Sequence, residues 1–250
     1  MVTLEPNNIK QPIILIVDDE EVLRWALSIF FEDKGFKVAL ASSGRAAIEY
    51  LTNNAVDVVL TDIRMPDGDG LQLLKSIRQR DWQSPPVILI TAFADITVDE
   101  AYDEGAEALF TKPFDLNALY EGIQLALTDP EKRWGLPPSA PIGPTATFSI
   151  QIAQLEDGIE RGLVSIGRGG ISVWFEKEVS KVESFIALKV AVKSGPGIEG
   201  LGIVRWVRSM GPQERRQRVG ISFLYLSDAC RMPLIDFIAN SQPKSFIPRR

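Results

Sequence analysis

Four short apolar runs constrain this chain more than anything else in it, because each leads directly into a residue with chemistry. Ile13–Val17 is followed by Asp18 and Asp19, Val58–Thr61 by Asp62, Val87–Ile90 by Thr91, and Ala108–Thr111 by Lys112. Runs rich in Val, Ile and Leu with almost no polar interruption suit strands buried on both faces, as in a parallel sheet. All strands of such a sheet point their C-terminal ends at one edge, where open α/β folds bind ligands. Asp18, Asp19, Asp62, Thr91 and Lys112 are therefore expected to meet in one pocket. Three carboxylates, a hydroxyl and an ammonium suit a divalent cation and a phosphoryl group.

Between the strands the period changes. Val22, Trp25, Ala26, Ile29 and Phe30 follow helical spacing, and Gly35 stops that helix. Leu71, Leu74 and Ile77 mark another helix. Leu116, Leu119, Tyr120, Ile123 and Leu127 mark a further one, with Asp115 as its N-cap. With Phe36–Leu40 as an additional strand, strands and helices alternate through residues 12–128. This order predicts an α/β, doubly wound, flavodoxin-like domain with a five-stranded parallel sheet.

The chemistry follows from the residue types. Packed carboxylates repel one another, so the trio calls for a cation. Magnesium is the natural choice, since it takes one or two carboxylates, waters and phosphate oxygens. A carboxylate can also attack phosphorus and become an aspartyl phosphate. Asp62 stands alone at its strand end and is the best nucleophile. Lys112 would supply positive charge and Thr91 a hydroxyl to the phosphoryl oxygens, which is catalysis by positioning and charge. The chain has no histidine, so a histidine phosphodonor must be another molecule.

These residues resemble the receiver domain of two-component response regulators. The resemblance rests on Ile16-Val17-Asp18-Asp19-Glu20, on Thr61-Asp62-Ile63-Arg64-Met65-Pro66-Asp67-Gly68-Asp69-Gly70, on Thr91-Ala92 and on Lys112-Pro113-Phe114. It implies that Asp62 is phosphorylated by a sensor histidine kinase or a phosphotransfer protein. Asp18, Asp19 and Asp62 would hold Mg2+, helped by the Arg64 carbonyl, and Thr91 and Lys112 would grip the phosphoryl group. Phe110 would be the switch aromatic, filling the space Thr91 leaves when it moves to the phosphoryl group. The face around Phe110 and its neighbouring helices would then change partners. The only reaction implied is phosphorylation and dephosphorylation at Asp62, not a stand-alone enzyme.

Composition then shifts. Residues 129–144 hold five prolines and little apolar periodicity, which predicts a semi-stiff linker. Residues 145–241 show period-two alternation, as in Phe148–Leu155, Phe185–Val192, Leu201–Val207 and Val219–Leu224. Such runs, separated by Gly and Pro turns, predict antiparallel strands with one wet face. Ser227–Asn240 reads as a terminal helix with Leu234, Phe237 and Ile238 buried, starting near Met232 because Pro233 disfavours an earlier start. A small antiparallel β-barrel closed by a helix is the expectation. The single cysteine, Cys230, reads as a buried helical thiol and fits a reducing compartment.

The second half has no cluster of catalytic types and reads as a binding module. Gly162–Phe175, Gly200–Val207 and Arg218–Leu224 resemble a PilZ domain, a six-stranded barrel that often binds cyclic di-GMP. The nucleotide signature is degenerate: Ser165-Ile166-Gly167-Arg168-Gly169-Gly170 keeps only its last glycine, and upstream there is only Lys132-Arg133 in place of an Arg-x-x-x-Arg pair. Arginine forks grip guanine and phosphate in a way lysine does not, so little or no cyclic di-GMP binding is predicted unless Arg161 and Arg168 compensate. Arg215, Arg216 and Arg218 read as a solvated basic turn.

Charge divides the chain: residues 1–128 carry 10 basic and 21 acidic side chains, net −11, and residues 129–250 carry 17 and 12, net +5. The basic half is too mildly charged, and lacks the helix pair, for major-groove DNA binding. No apolar run reaches the roughly 18 residues of a membrane span, and Met1–Gln11 has no signal core. The expectation is a cytoplasmic response regulator whose barrel contacts an output protein. The alternative is a receptor that integrates phosphorylation with cyclic di-GMP. A DNA-binding regulator and a phosphatase using Asp62 are weaker rivals.

Overall fold

The computed structural model describes residues 11–82, 84–92, 96–135, 143–144, 146–175, 182–209 and 216–240. Expectations that fall on Met1–Lys10, on Pro137, Pro138 and Pro141, on the bounds at 145 and 241, and on Arg215 lie outside the described residues.

The first sheet holds β1 (Ile13–Val17), β2 (Lys37–Ala41), β3 (Val58–Asp62), β4 (Val87–Thr91) and β5 (Ala108–Thr111). All pairs are parallel in the order β2-β1-β3-β4-β5, the doubly wound arrangement expected. Alternate residues of each strand feed two cores. Leu15, Val17, Val59, Val87 and Leu89 pack with α2 (Gly44–Asn53), α3 (Gly70–Arg80) and Ala101 of α4 (Val98–Asp103). Ile14, Ile16, Val58, Leu60, Ile88 and Ile90 pack with α1 (Glu21–Asp33) and α5 (Leu116–Leu127). Side-chain oxygens of Ser43, Asp69, Thr97 and Asp115 cap α2 to α5 by accepting backbone N–H bonds.

Helix α1 forms where its spacing predicted, but the buried side is set by Leu27 and Phe31. Val22, Trp25 and Ile29 are left exposed. This helix is apolar on more than one side, so periodicity alone does not decide which stripe meets the sheet.

The second sheet is a curled half-barrel. It holds β6 (Ala146–Ile152), β7 (Val164–Gly167), β8 (Gly170–Phe175), β9 (Phe185–Val192), β10 (Ile198–Ser209) and β11 (Gln217–Leu226) in the order β6-β9-β10-β11-β8-β7. It is mixed rather than purely antiparallel, because β6 lies parallel to β9. The alternation expected to run to Leu155 ends at Ile152, and Leu155–Glu160 forms the short helix α7. The inner face carries Val164, Ile171, Val173, Ile186, Leu188, Val204, Val219 and Ile221, closed by the terminal helix α8 (Asp228–Asn240).

Helix α8 starts four residues before the Met232 expected from Pro233. Its first turn is pinned by the Cys230 and Arg231 amides, which both donate to the Ser227 carbonyl (3.1 and 3.0 Å). Cys230 is buried, as anticipated. Proline removes one internal hydrogen bond, and Leu234 and Ile238 keep the helix seated on the sheet. Phe237 is only partly buried.

The proline-rich stretch read as linker contains structure. Pro130–Gly135 form helix α6, whose Trp134 is 1% exposed inside the half-barrel core and meets Phe223 edge-on at 5.2 Å. A turn of this length is marginal alone, so burial of the indole is what holds it. Trp134→Ala should destabilise the half-barrel by about 3–5 kcal/mol. Hydrogen exchange should show the loss at β9–β11 amides, with β1 and β3 unchanged; equal loss in both sheets would contradict this placement of α6.

Candidate functional site

Register brings the acidic residues together. Val17 pairs with Thr61 across β1 and β3, so the residues that follow, Asp18 and Asp62, sit side by side at one sheet edge. On the other flank, Asp62 pairs with Ile90, which places Thr91 one residue further along β4. Thr91 in turn pairs with Thr111 on β5, and the Lys112 amide donates to the Thr91 carbonyl (2.6 Å). The sheet therefore delivers every residue of the anticipated pocket to one edge.

The side chains complete the convergence. Carboxylate oxygens of Asp18, Asp19 and Asp62 lie within 4.8 Å of one another. Lys112 Nζ donates to Asp62 Oδ2 at 2.6 Å and to Asp18 Oδ2 at 3.1 Å. Asp18 and Asp62 are buried and Asp19 is exposed, so the trio has one side open to solvent. Thr91 is fully buried at the end of β4, and Phe110 is half-buried on β5.

Backbone groups fix the acids in place. The Glu20 amide donates to Asp18 Oδ1 (2.8 Å), and the Arg64 amide donates to Asp62 Oδ1 (3.2 Å). Arg24 reaches the Asp18 carbonyl (2.6 Å). Burial pushes the Asp18 carboxyl above its ordinary range, against the opposing pull of the Glu20 amide and Lys112. Burial alone would lower the Lys112 ammonium, but its hydrogen bonds and charge pairing with Asp62 and Asp18 raise it. The ammonium thus stays charged and screens two carboxylates from each other. All donors in the trio are hard oxygens with a solvent-facing side, the set that suits Mg2+.

The floor under Asp62 is glycine. A Cβ at Gly70 would lie 2.1 Å from the Asp62 carbonyl oxygen, and Gly70 donates its amide to Ile63 (3.0 Å). No side chain fits there without moving the acidic strand end. Gly70→Ala should cost about 1–3 kcal/mol of stability, whereas Gly143→Ala, with open space around it, should stay within about 0.5 kcal/mol. Thermal unfolding of the two variants measures the difference, and equal midpoints would disprove the close approach.

In the half-barrel, the arginines expected at solvated or nucleotide-facing positions are engaged elsewhere. Arg168 is buried and ion-paired with Glu107 of the first domain. Arg161 is exposed and pairs with Asp157 at 3.5 Å. Arg218 is not a solvated turn residue: it donates to Ser165 Oγ (2.6 Å), Ser172 Oγ (3.0 Å) and the Gly162 carbonyl (3.0 Å), and its guanidinium lies over Trp174 at 5.3 Å. Burial lowers its pKa. Arg216 is exposed and also lies near Trp174, at 5.6 Å. Sequence reading missed Glu107 altogether, because Asp103-Glu104-Gly105-Ala106-Glu107 looks like a solvated acidic turn.

Comparison with known proteins identifies the family of the first domain. The family model of the response regulator receiver domain matches residues 14–124. The regulatory protein AtoC of Escherichia coli is 45% identical over 115 residues, which cover 46% of this chain and 25% of that protein. The DNA-binding transcriptional regulator NtrC of Klebsiella pneumoniae is 34% identical over 174 residues, covering 69% of this chain and 36% of that protein. The chain thus spans a quarter to about a third of the length of these two relatives. Among solved structures, the response regulator TrrA from Thermotoga maritima in complex with Mg2+ and BeF is 28% identical with a TM-score of 0.44, over 47% of this chain and all of that one. No helix among the described residues is long and apolar enough to cross a membrane.

Proposed function

Residues 14–124 being a response regulator receiver domain and not a catalytic enzyme, we propose that this chain accepts a phosphoryl group on Asp62 and passes the signal to its half-barrel. The observation that carries the reading is the Lys112 ammonium bridging Asp62 and Asp18 at 2.6 and 3.1 Å. A cation already placed between two carboxylates is also placed to meet an anionic phosphoryl group. Asp62 is the nucleophile: its carboxylate oxygen bonds to phosphorus while the donor's leaving group departs with the bonding electrons. Lys112 and the Thr91 hydroxyl receive the phosphoryl oxygens, which is stabilisation by position and charge. Asp18, Asp19 and Asp62 would hold Mg2+, with the Arg64 carbonyl as a further ligand. When bound, the ion offsets the charge of the incoming donor.

A receiver implies a cognate histidine kinase, and the chain's lack of histidine agrees with an external donor. Once Asp62 is phosphorylated, Thr91 turns toward it and Phe110 follows into the space behind. Two or three charge-assisted contacts of about 1.5–3 kcal/mol each are enough to shift a two-state equilibrium substantially.

The half-barrel is the output module, of PilZ-like descent, and it acts by contacting another protein. Its strand succession and terminal helix support that descent. Engagement of Arg161, Arg168 and Arg218 within the chain supports a module that neither binds cyclic di-GMP nor grips DNA. Calorimetry with cyclic di-GMP should show no micromolar binding; saturable micromolar binding would favour the alternative of a receptor for both signals.

Asp62→Asn should abolish labelling by acetyl phosphate in the presence of Mg2+ while leaving the fold intact by circular dichroism. Retained labelling would remove Asp62 from the acceptor role. Thr91→Ala should still accept phosphate but lose the exchange difference between phosphorylated and unphosphorylated forms. Identical differences in the variant and the wild type would show that coupling bypasses this hydroxyl.

A further inference from the structure

The two domains meet along a strip made of three unlike contacts. Glu107 enters β5 and Arg168 occupies the turn between β7 and β8. They form an ion pair with both side chains fully buried. The Glu107 amide donates to the Val87 carbonyl (2.7 Å), so this acid is anchored to the receiver sheet. Gly167-Arg168-Gly169-Gly170 is buried throughout. Hairpin turns ordinarily lie at the surface; this one meets Glu107 of the receiver through Arg168 and β11 through the Gly169 carbonyl, which accepts from the Phe223 amide (2.9 Å). Beside it, Tyr102 of α4 packs against Trp206 of β10. Trp206 lies over Gly220, where a Cβ would come within 2.0 Å of the indole. At the rim, Asp103 and Arg208 pair at 2.6 Å, and the Arg208 guanidinium stacks 4.4 Å above Trp206.

These contacts differ in what they do. The rim pair is part-exposed and screened, so it contributes little. The aromatic pair supplies apolar area without fixing a register. The Glu107–Arg168 pair is dry, and separating it without rehydration leaves two uncompensated charges. It therefore determines which arrangement of the domains is allowed: either this register, or one in which both charges reach water.

We propose that Glu107 and Arg168 latch the half-barrel onto the α4–β5 edge of the receiver, and that phosphorylation of Asp62 releases the latch. The release rests on the acceptor role proposed for Asp62; the latch does not. Both ends of the coupling lie on the same two strands. Thr91 ends β4 and Val87, whose carbonyl accepts from the Glu107 amide, begins it; Phe110 of β5 pairs with Ile90 of β4, and Glu107 immediately precedes β5. A shift of β5 relative to β4 at the phosphoryl end changes where Glu107 stands at the other. Coupling of this kind is reciprocal, so opening the latch also favours the phosphorylated receiver.

Hydrogen exchange on the full chain tests both statements. In unphosphorylated protein, Arg168→Gln should speed exchange at residues 100–107 and 166–170 by ~10-fold or more, with β3 and β9 unchanged as evidence of intact domains. The exchanged pair, Glu107→Arg with Arg168→Glu, should recover much of the protection. Unchanged exchange at both segments in Arg168→Gln overturns the latch. Acetyl phosphate with Mg2+ should speed exchange at the same segments in the wild type and not in Asp62→Asn. Wild type that gains the phosphoryl group, by intact mass, without any change in exchange overturns the release. Wild type that gains no phosphoryl group overturns the acceptor role itself, and the Arg168→Gln comparison still decides the latch.

Discussion

The crowding of carboxylates at one sheet edge governs this molecule. Parallel register between β1 and β3 puts Asp18 beside Asp62, and burial then makes their charges costly. Like charges within hydrogen-bonding reach of one ammonium form a pocket that is incomplete without positive charge. Lys112 supplies some of it, from a strand end two places across the sheet. The Asp18 carboxyl is still pushed up by its burial, so one ammonium does not fully offset the desolvation. The same shortage makes the site receptive to a divalent ion, and the phosphoryl transfer proposed above would draw on that ion together with Lys112. Rigid surroundings matter as much as charge: the glycine floor at Gly70 and the Arg64 amide hold Asp62 in one place.

The receiver was legible in the sequence because its information is local. Each residue expected at the site ends or closely follows a strand whose nearly unbroken apolar content announces burial on both faces, so finding the strand finds the residue. Where information is not local, reading failed. Periodicity found α1 but not which stripe it buries, since Leu27 and Phe31 compete with Val22, Trp25 and Ile29. Prolines suggested a semi-stiff linker over residues 129–144, and nothing nearby announced that Trp134 fills a core built from strands later in the chain. Proline also misplaced the start of α8, where the Ser227 carbonyl and buried Cys230 hold the first turn. Glu107 drew no reading at all, because its partner Arg168 sits in a different domain.

The arginines of the half-barrel make the same point about function. In the sequence, Arg161, Arg168 and Arg218 were candidates for a nucleotide or for solvent. In the structure Arg218 ties β11 to Ser165 on β7 and Ser172 on β8, and Arg205 ties β10 to Ser222 on β11 (2.8 Å). Guanidinium forks are well suited to such ties, since their donors are fixed in one plane. A charge occupied in stitching strands is not available to a ligand without dismantling the sheet's outer face.

Distance decides how a phosphoryl group could be felt by the half-barrel. Glu107 and Lys112 bracket β5, so the latch and the acidic pocket stand roughly 16 Å apart at the usual strand rise. Across that distance two unit charges interact by about 0.3–1 kcal/mol for effective dielectric constants between water and a protein surface. An ion pair feels less, because its two charges respond with opposite signs. Moving an equilibrium from 1:99 to 99:1 takes about 5.5 kcal/mol. Direct electrostatics is therefore too weak to work the latch. The signal has to be carried as displacement, through strands whose hydrogen bonds connect Thr91 to Lys112 at one end and Val87 to Glu107 at the other. A buried ion pair suits the receiving end of such a lever, since it tolerates little change in geometry before water becomes the better partner.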